Sequence, residues 1–158
     1  LGLALSAFQV NDNSLPKSAW KRIDKEIVKI WPELTIEKEH LDTSELSLYR
    51  LTVDEVLQGY LLISKAPSRY DQFDYMLLYS PELKILSAQI LVYRESYGGE
   101  IASWRWLRQF IGLSNENTMK LGDDIQGISG ATISCQAATN GFKESTILIN
   151  AMKLEGKL

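Results

Sequence analysis

Apolar residues recur at three- and four-residue steps near the start of the chain. Residues with this spacing lie on one face of an α-helix, so the pattern indicates an amphipathic helix. Proline disfavours helical geometry in the residue before it, and Pro32 therefore ends the element. The spacing predicts a helix over residues 18–30. Its apolar face consists of Trp20, Ile23, Ile27 and Ile30.

The middle of the chain changes to short runs that are rich in Leu, Ile, Val and Tyr and are separated by turn-forming residues. Such runs are typical of β-strands. The links between them are too short to contain crossover helices, so consecutive strands are expected to pair antiparallel in a meander. The predicted strands cover residues 34–41, 46–53, 59–64, 73–79 and 85–93.

Two helices are predicted after the strands. Ser103 and Gly112 have the character of an N-cap and a stop for a short helix over residues 103–111. Ser134 is placed as the N-cap of a longer helix that ends near residue 152. The apolar residues available for its buried side are Phe142, Ile147, Ile149 and Met152. The expected fold is a single α+β domain in which a twisted antiparallel sheet is flanked by N-terminal and C-terminal helices.

Composition narrows the classes of protein that fit. The 158 residues suffice for one domain, and 45% apolar with 23% charged residues is ordinary for a globular protein. The net charge of −3 comes without a basic block, so we expect no nucleic-acid partner. One cysteine, Cys135, and one histidine, His40, are too few for a usual four-ligand zinc site, so no metal is expected. Cys135 is expected to be a small buried side chain.

The first residues bear on location. Residues 1–7 are apolar and end in small side chains, as in the last part of a secretory signal peptide. We therefore expect residues 1–14 to be a signal-peptide remnant and flexible N-terminus, and the domain to occupy residues 15–158. The alternative is an ordinary apolar segment that packs on the domain.

The run from Gly127 to Ser134, just before the last helix, suits a phosphate group. Gly127 and Gly130 allow the backbone to turn tightly and to approach a ligand closely, while Ser129, Thr132 and Ser134 add hydroxyls. The unpaired N–H groups at a helix start attract anions. The same residues also suit a capped helix start with a glycine-rich turn, so spacing alone leaves both interpretations open.

A second segment follows the last strand, where two adjacent glycines allow the backbone to approach a flat ligand. Its Glu-x-x-Gly pattern, the aromatic-rich helix behind it and the run Ser-Gly-Ala-Thr together resemble the FMN-binding domain family. That family includes components of two membrane assemblies, the sodium-translocating NADH:quinone reductase and the Rnf electron-transport complex. The resemblance covers about residues 85–140. The cofactor-binding residues that it implies are Glu95, Gly98, Gly99, Ile101, Ser129, Gly130, Ala131, Thr132, Ile133 and Ser134.

The resemblance implies a redox function. In the family, flavin mononucleotide (FMN) is joined through its phosphate to the threonine of the run, here Thr132, by a flavin transferase that uses FAD and Mg²⁺. A threonine hydroxyl is a poor nucleophile without a base, and none stands beside Thr132 in the sequence, which agrees with attachment by a separate enzyme. We expect an extracytoplasmic electron carrier or redox subunit with a membrane-bound redox partner, rather than a self-contained enzyme.

One position departs from the family's pattern. Where the motif has an aspartate, this chain has Gln126, and the nearest acids, Asp123 and Asp124, stand too early. Two alternatives therefore stay open, a non-covalent FMN-binding module and a flavin-free extracytoplasmic interaction domain. Candidates for further contacts with the flavin ring or its phosphate are Trp104, Trp106, Arg94, Arg105 and Lys120.

Overall fold

Five strands form one antiparallel sheet in which each strand lies beside its neighbours in sequence. A computed structural model describes residues 12–43 and 46–158 of the chain. The strand order confirms the predicted meander, and β3 is longer at both ends than the sequence pattern indicated. The strands are β1 (Glu37–Leu41), β2 (Ser47–Val53), β3 (Val56–Pro67), β4 (Gln72–Tyr79) and β5 (Ile85–Val92).

Helices before and after the sheet complete a single α+β domain, as predicted. The predicted helix over residues 103–111 is corrected to one α-helical turn followed by a 3-10 turn. The last helix begins at Thr132 rather than at Ser134, and Ala131 occupies its N-cap position. The helices are α1 (Lys17–Ile30), α2 (Trp104–Leu107) and α3 (Thr132–Leu154), with 3-10 turns at Asp12–Ser14, Gly99–Ala102 and Arg108–Phe110.

The helices α1 and α3 cover opposite faces of the sheet. Side chains alternate between the two faces along each strand, so neighbouring residues contact different helices. Ile23 of α1 packs in one apolar cluster with Ile63 and Met76. Phe142 of α3 packs in the other, with its ring centroid 4.9 Å from that of Tyr75. Because both faces are covered, β4 is buried along almost its whole length.

The buried side of α3 differs from the prediction at one residue. The side chain of Ile147 is 49% exposed, because the residue beside it, Thr146, takes the position that faces the sheet. The Thr146 hydroxyl lies 2.9 Å from the hydroxyl of Tyr79, so a polar pair replaces an apolar contact there. The predicted residues that are buried are Phe142, Ile149 and Met152.

Residues 12–14 belong to the folded domain. They form a 3-10 turn, and the carboxylate of Asp12 accepts hydrogen bonds from the hydroxyls of Ser47 and Tyr49 in β2. These bonds tie Asp12 to the sheet, whereas the sequence predicted a flexible N-terminus through residue 14. The predicted signal-peptide remnant otherwise falls on residues 1–11, which lie outside the described residues.

The meander brings three segments to one end of the sheet. In the antiparallel pair β4 and β5, Asp74 lies opposite Val92, so the β3–β4 connection at residues 68–71 lies beside the chain that leaves β5. The first turn of α3 reaches the same place, because Ser134 contacts Tyr93 just after β5. A turn, a strand exit and a helix start that are distant in sequence therefore meet there.

Candidate functional site

A cleft of about 820 Å³ lies where these three segments meet. Small-molecule sites typically measure about 300–1,000 Å³, so the cleft has room for a ligand of that class. The predicted site residues that line it are Glu95, Gly98, Gly130, Ala131, Thr132, Ile133 and Ser134. The other residues that line it are Arg69, Tyr70, Asp71, Arg94, Ser96 and Tyr97.

Glu95 holds the β3–β4 connection against the strand exit. Its Oε2 accepts a hydrogen bond from the N–H of Arg69 at 3.0 Å, and its Oε1 accepts one from the N–H of Tyr70 at 2.8 Å. Within the same turn, the Ser68 N–H donates to the Asp71 carbonyl at 2.8 Å. Charge-assisted bonds to two successive backbone donors fix the position of the turn. Glu95 thus builds one wall of the cleft.

Arg94 anchors the strand exit through an ion pair. Its Nη2 donates to Oδ2 of Asp74 at 2.7 Å, and its Nη1 donates to the Gln72 carbonyl at 2.9 Å. Asp74 is only 2% exposed, so the guanidinium compensates a buried carboxylate. The hydrogen bond to Asp74 raises the pKa of the Arg94 guanidinium. Arg94 lines the cleft, but its charge is already engaged in holding the fold together.

Gly98 brings the strand exit into contact with the start of α3. Its φ is +83°, and a Cβ placed there would overlap Oγ of Ser134 and lie 2.6 Å from the hydroxyl of Tyr93. The Tyr93 hydroxyl donates to the Tyr97 carbonyl at 2.6 Å. It also lies 2.8 Å from Oγ of Ser134, which is the donor there because the phenol has one proton. Only glycine fits between these groups, and Ser134 serves this contact instead of capping the helix.

The first turn of α3 presents Thr132 to the cleft. The side chain of Thr132 is exposed, whereas Ala131 is 4% exposed and anchors the turn in the core. The Cys135 N–H donates to the Ala131 carbonyl at 2.9 Å as the first bond of the helix, so the N–H groups of residues 132–134 are available to a ligand. They form the positive end of a 23-residue helix dipole, which favours an anion. Ile133, at 53% exposed, adds apolar surface.

The other predicted site residues lie outside the cleft lining. Ile101 is fully buried in the core, and Gly99 stands beside the ring of Tyr93. Ser129 is exposed on the turn before Gly130. None of the three predicted residues Gly99, Ile101 and Ser129 lines the cleft in the described structure.

The aromatic candidates outside the two motifs take other positions. Trp106 is buried, and its Nε1 donates to the Gln126 carbonyl at 2.7 Å. Trp104 is 56% exposed, with Nζ of Lys29 lying 5.3 Å from its ring centroid. Neither tryptophan lines the cleft. The basic candidates that also lie outside it are Arg105 and Lys120.

Gln126, which stands where the family's pattern has an aspartate, is fixed by hydrogen bonds of its backbone N–H and carbonyl. The Gln126 N–H donates to Oε1 of Gln109 at 2.8 Å, while the Gln126 carbonyl accepts from Trp106. The Gln126 side chain is exposed and does not line the cleft. The glutamine that replaces the motif's aspartate therefore lies on the surface beside the motif and does not alter the wall of the cleft.

Asp124 folds the loop in which it lies. It accepts hydrogen bonds from the N–H groups of Met119 and Lys120 at 2.8 and 2.5 Å, and from the Thr118 hydroxyl at 2.9 Å. Partial burial acts to raise the pKa of Asp124, but these hydrogen bonds outweigh it and the pKa is lowered. Asp124 is thus committed to its own loop and supplies no carboxylate to the cleft.

The β3–β4 connection is the part of the site that sequence reasoning missed. Arg69, Tyr70 and Asp71 line the cleft but precede the region of resemblance, and the sequence suggested only a turn there. The signal that could have found them is the meander. In an antiparallel meander, the turn between β3 and β4 lies beside the exit of β5, which carries Glu95.

Neither a metal-binding cluster nor a membrane-spanning helix is found in the described part of the chain. No group of three His, Cys, Asp or Glu side chains there could hold a metal ion. None of the described helices has both the length and the apolar character needed to cross a membrane. Cys135 is fully buried, as predicted, and burial raises the pKa of its thiol.

The fold is an α+β domain in which a cleft of small-molecule size lies at a helix start. Residues 71–146 match the family model of the FMN-binding domain. The match confirms the predicted resemblance to that family, and it covers a stretch that includes β4, β5 and the start of α3. No curated protein matches the chain significantly. The family match supports FMN as the cofactor.

Proposed function

We propose that the chain is an electron-transfer flavoprotein domain that works outside the cytoplasm, with FMN joined through its phosphate to the hydroxyl of Thr132. The observation that carries the proposal is the position of Thr132, which is exposed on the first turn of α3 and lines the cleft. The match to the FMN-binding domain supplies the identity of the ligand.

The residues at the start of α3 fit a phosphate. The N–H groups of residues 132–134 are available, and they stand at the positive end of the helix. At Gly130, which has φ +83°, no atom lies within 4 Å of the place that a Cβ would take, so a ligand can approach the backbone there. A phosphate on Thr132 would therefore meet donors and open space.

The Thr132 hydroxyl lacks an activating base. It makes no hydrogen bond within the part of the chain that the structure describes, so no described residue raises its nucleophilicity. An accessible and unactivated hydroxyl suits an acceptor that a separate flavin transferase modifies. Bound FMN would supply the electron chemistry, and the chain's own residues would hold and orient it.

Location and partners are part of the same proposal. The apolar residues 1–7 and the resemblance to components of membrane complexes support an extracytoplasmic domain that exchanges electrons with a membrane-bound partner. Fractionation of cells that produce the protein from its full-length gene tests the location. Recovery in the cytoplasmic fraction would overturn that part of the proposal.

A second candidate is a domain that binds FMN without a covalent bond. Gln126 favours it, because the family's motif has an aspartate there, and the side chain at 126 is exposed to an incoming transferase. The cleft does not depend on this position. The motif change therefore bears on the covalent bond more than on FMN binding.

Acid precipitation separates the two candidates. The protein is co-expressed with a flavin transferase, purified and precipitated, and flavin absorbance is measured in the pellet and the supernatant. Flavin that stays with the polypeptide supports the phosphoester. A yellow protein that releases all its flavin supports the non-covalent candidate, and a colourless protein that binds no added FMN contradicts both.

A further inference from the structure

Tyr70 and Tyr97 are the most exposed aromatic side chains among the described residues, at 82% and 87%. Both line the cleft, one on the β3–β4 connection and the other after β5. We propose that these two rings bind the isoalloxazine ring of FMN. This inference rests on one part of the proposed function, that the cleft holds FMN, and it applies with or without a covalent bond.

The backbones of both tyrosines are fixed although their rings are not covered. The Tyr70 N–H donates to Oε1 of Glu95 at 2.8 Å, and the Tyr97 carbonyl accepts from the Tyr93 hydroxyl at 2.6 Å. Two large aromatic rings held at one cleft leave apolar surface in water, which a flat apolar ligand would cover. The turn and the strand exit are thus preorganised for a ring system.

Arg69 supports the Tyr70 ring from one side. Its guanidinium carbon lies 5.1 Å from the centroid of the Tyr70 ring, within the range of a cation–π contact. This contact occupies one face of the ring, so a flat ligand has the opposite face. The apolar side chain of Ile133, 53% exposed on the first turn of α3, lines the same cleft beside Thr132.

A phenol close to a flavin leaves a spectroscopic signature. In the loaded protein, the phenol of Tyr70 or Tyr97 would donate one electron to the photoexcited flavin and take it back, which would quench the emission and leave both groups unchanged. Phenylalanine has a ring of similar size but lacks the phenol that donates the electron. A Phe substitution therefore tests fluorescence quenching alone, whereas a Leu substitution also removes the ring that contacts FMN.

The test compares Tyr70→Leu, Tyr97→Leu, both together, and the two Phe variants with the wild type. Trp104→Leu is the control, because Trp104 is an exposed aromatic residue outside the cleft. Protein made without a transferase is titrated with FMN, and protein made with one is checked for the adduct by intact mass before flavin fluorescence is recorded. Circular dichroism monitors the fold.

We expect each Leu substitution to weaken the binding of free FMN by about tenfold. We also expect emission from the loaded protein to rise in each single Leu and Phe variant and severalfold in the double Leu variant, with the Phe variants keeping their affinity for FMN. Trp104→Leu should change neither quantity. A double Leu variant with the affinity and emission of the wild type would overturn the inference.

The outcomes separate this inference from the proposed function. An adduct whose fluorescence is independent of both tyrosines contradicts the inference alone. Absence of an adduct, together with tyrosine-dependent binding of free FMN, contradicts the phosphoester alone. A wild-type protein that neither gains the adduct nor binds FMN contradicts both.

Discussion

The hydroxyl of Tyr93 and Oγ of Ser134 lie 2.8 Å apart and join the exit of β5 to the first turn of α3 across 41 residues of sequence. The contact sets where the N–H groups of that turn point. Because Thr132 stands on the same turn, the geometry of its hydroxyl depends on a hydrogen bond to a strand-end tyrosine.

Tyr93→Phe removes the hydrogen bonds to the Tyr97 carbonyl and to Ser134. Ser134 is 5% exposed, so its hydroxyl would lose a buried partner. We expect the free energy of unfolding to fall by about 1–2 kcal/mol, and flavin loading to slow because the first turn of α3 loses its anchor. Urea denaturation measures the first effect. Tyr97→Phe is the control, since that hydroxyl is exposed, and a change as large as in Tyr93→Phe would contradict the account.

Gly98→Ala should be more damaging than the same change at Gly112. Both glycines have left-handed backbones, with φ values of +83° and +85°, so both variants meet a backbone cost of about 1–2 kcal/mol. Only at Gly98 would the new methyl overlap Ser134 and the Tyr93 hydroxyl, which adds about 1–3 kcal/mol. Thermal denaturation compares the two variants. Equal destabilisation would show that Gly98 is required for its backbone angle alone.

Glu95→Gln should loosen the β3–β4 connection. The amide side chain keeps one acceptor oxygen but loses the charge-assisted bonds to the N–H groups of Arg69 and Tyr70. We expect a loss of about 1–2 kcal/mol in stability, and faster hydrogen exchange at these two amides. Glu100→Gln removes an exposed carboxylate from the same segment and should leave both amides protected. Unchanged exchange at residues 69 and 70 in Glu95→Gln would rule out the proposed clamp.

Asp124 gives the loop before the motif a dependence on pH. Its pKa is lower in the folded than in the unfolded chain, so its contribution to stability is present above the unfolded value of about 4 and is lost as pH falls through the folded value. Asp124→Asn should therefore destabilise the protein at neutral pH, and the difference from wild type should shrink below about pH 4. Denaturation at several pH values measures this. Asp123→Asn is the adjacent control, and a pH-independent difference for Asp124→Asn would refute the assignment.

The sheet and its flanking helices were predictable because their signals are local. Alternation within each run and the short links between runs suffice for the antiparallel meander. The start of α3 was predicted at the wrong residue for the opposite reason. Ser134 has a side chain typical of an N-cap, but its hydroxyl is hydrogen-bonded to Tyr93, which lies outside the helix. No local sequence pattern indicates that contact.

The candidate site was predictable as far as its motifs reach. The resemblance named the run around Thr132 and the segment after β5, and most of those residues line one cleft. It could not name Arg69 and Tyr70, because their bonds to Glu95 span 26 and 25 residues of sequence. Tyr97 stands inside the named segment, yet only the folded chain shows that its ring is left in solvent at the cleft.

The intact mass of protein co-expressed with a flavin transferase shows directly whether FMN is attached at Thr132. The wild type should gain the mass of one FMN less one water. Thr132→Ala should gain nothing, and the control Ser96→Ala, which removes another hydroxyl from the same cleft, should gain the full adduct. An unmodified wild type, or an adduct that persists in Thr132→Ala, would contradict the phosphoester at Thr132.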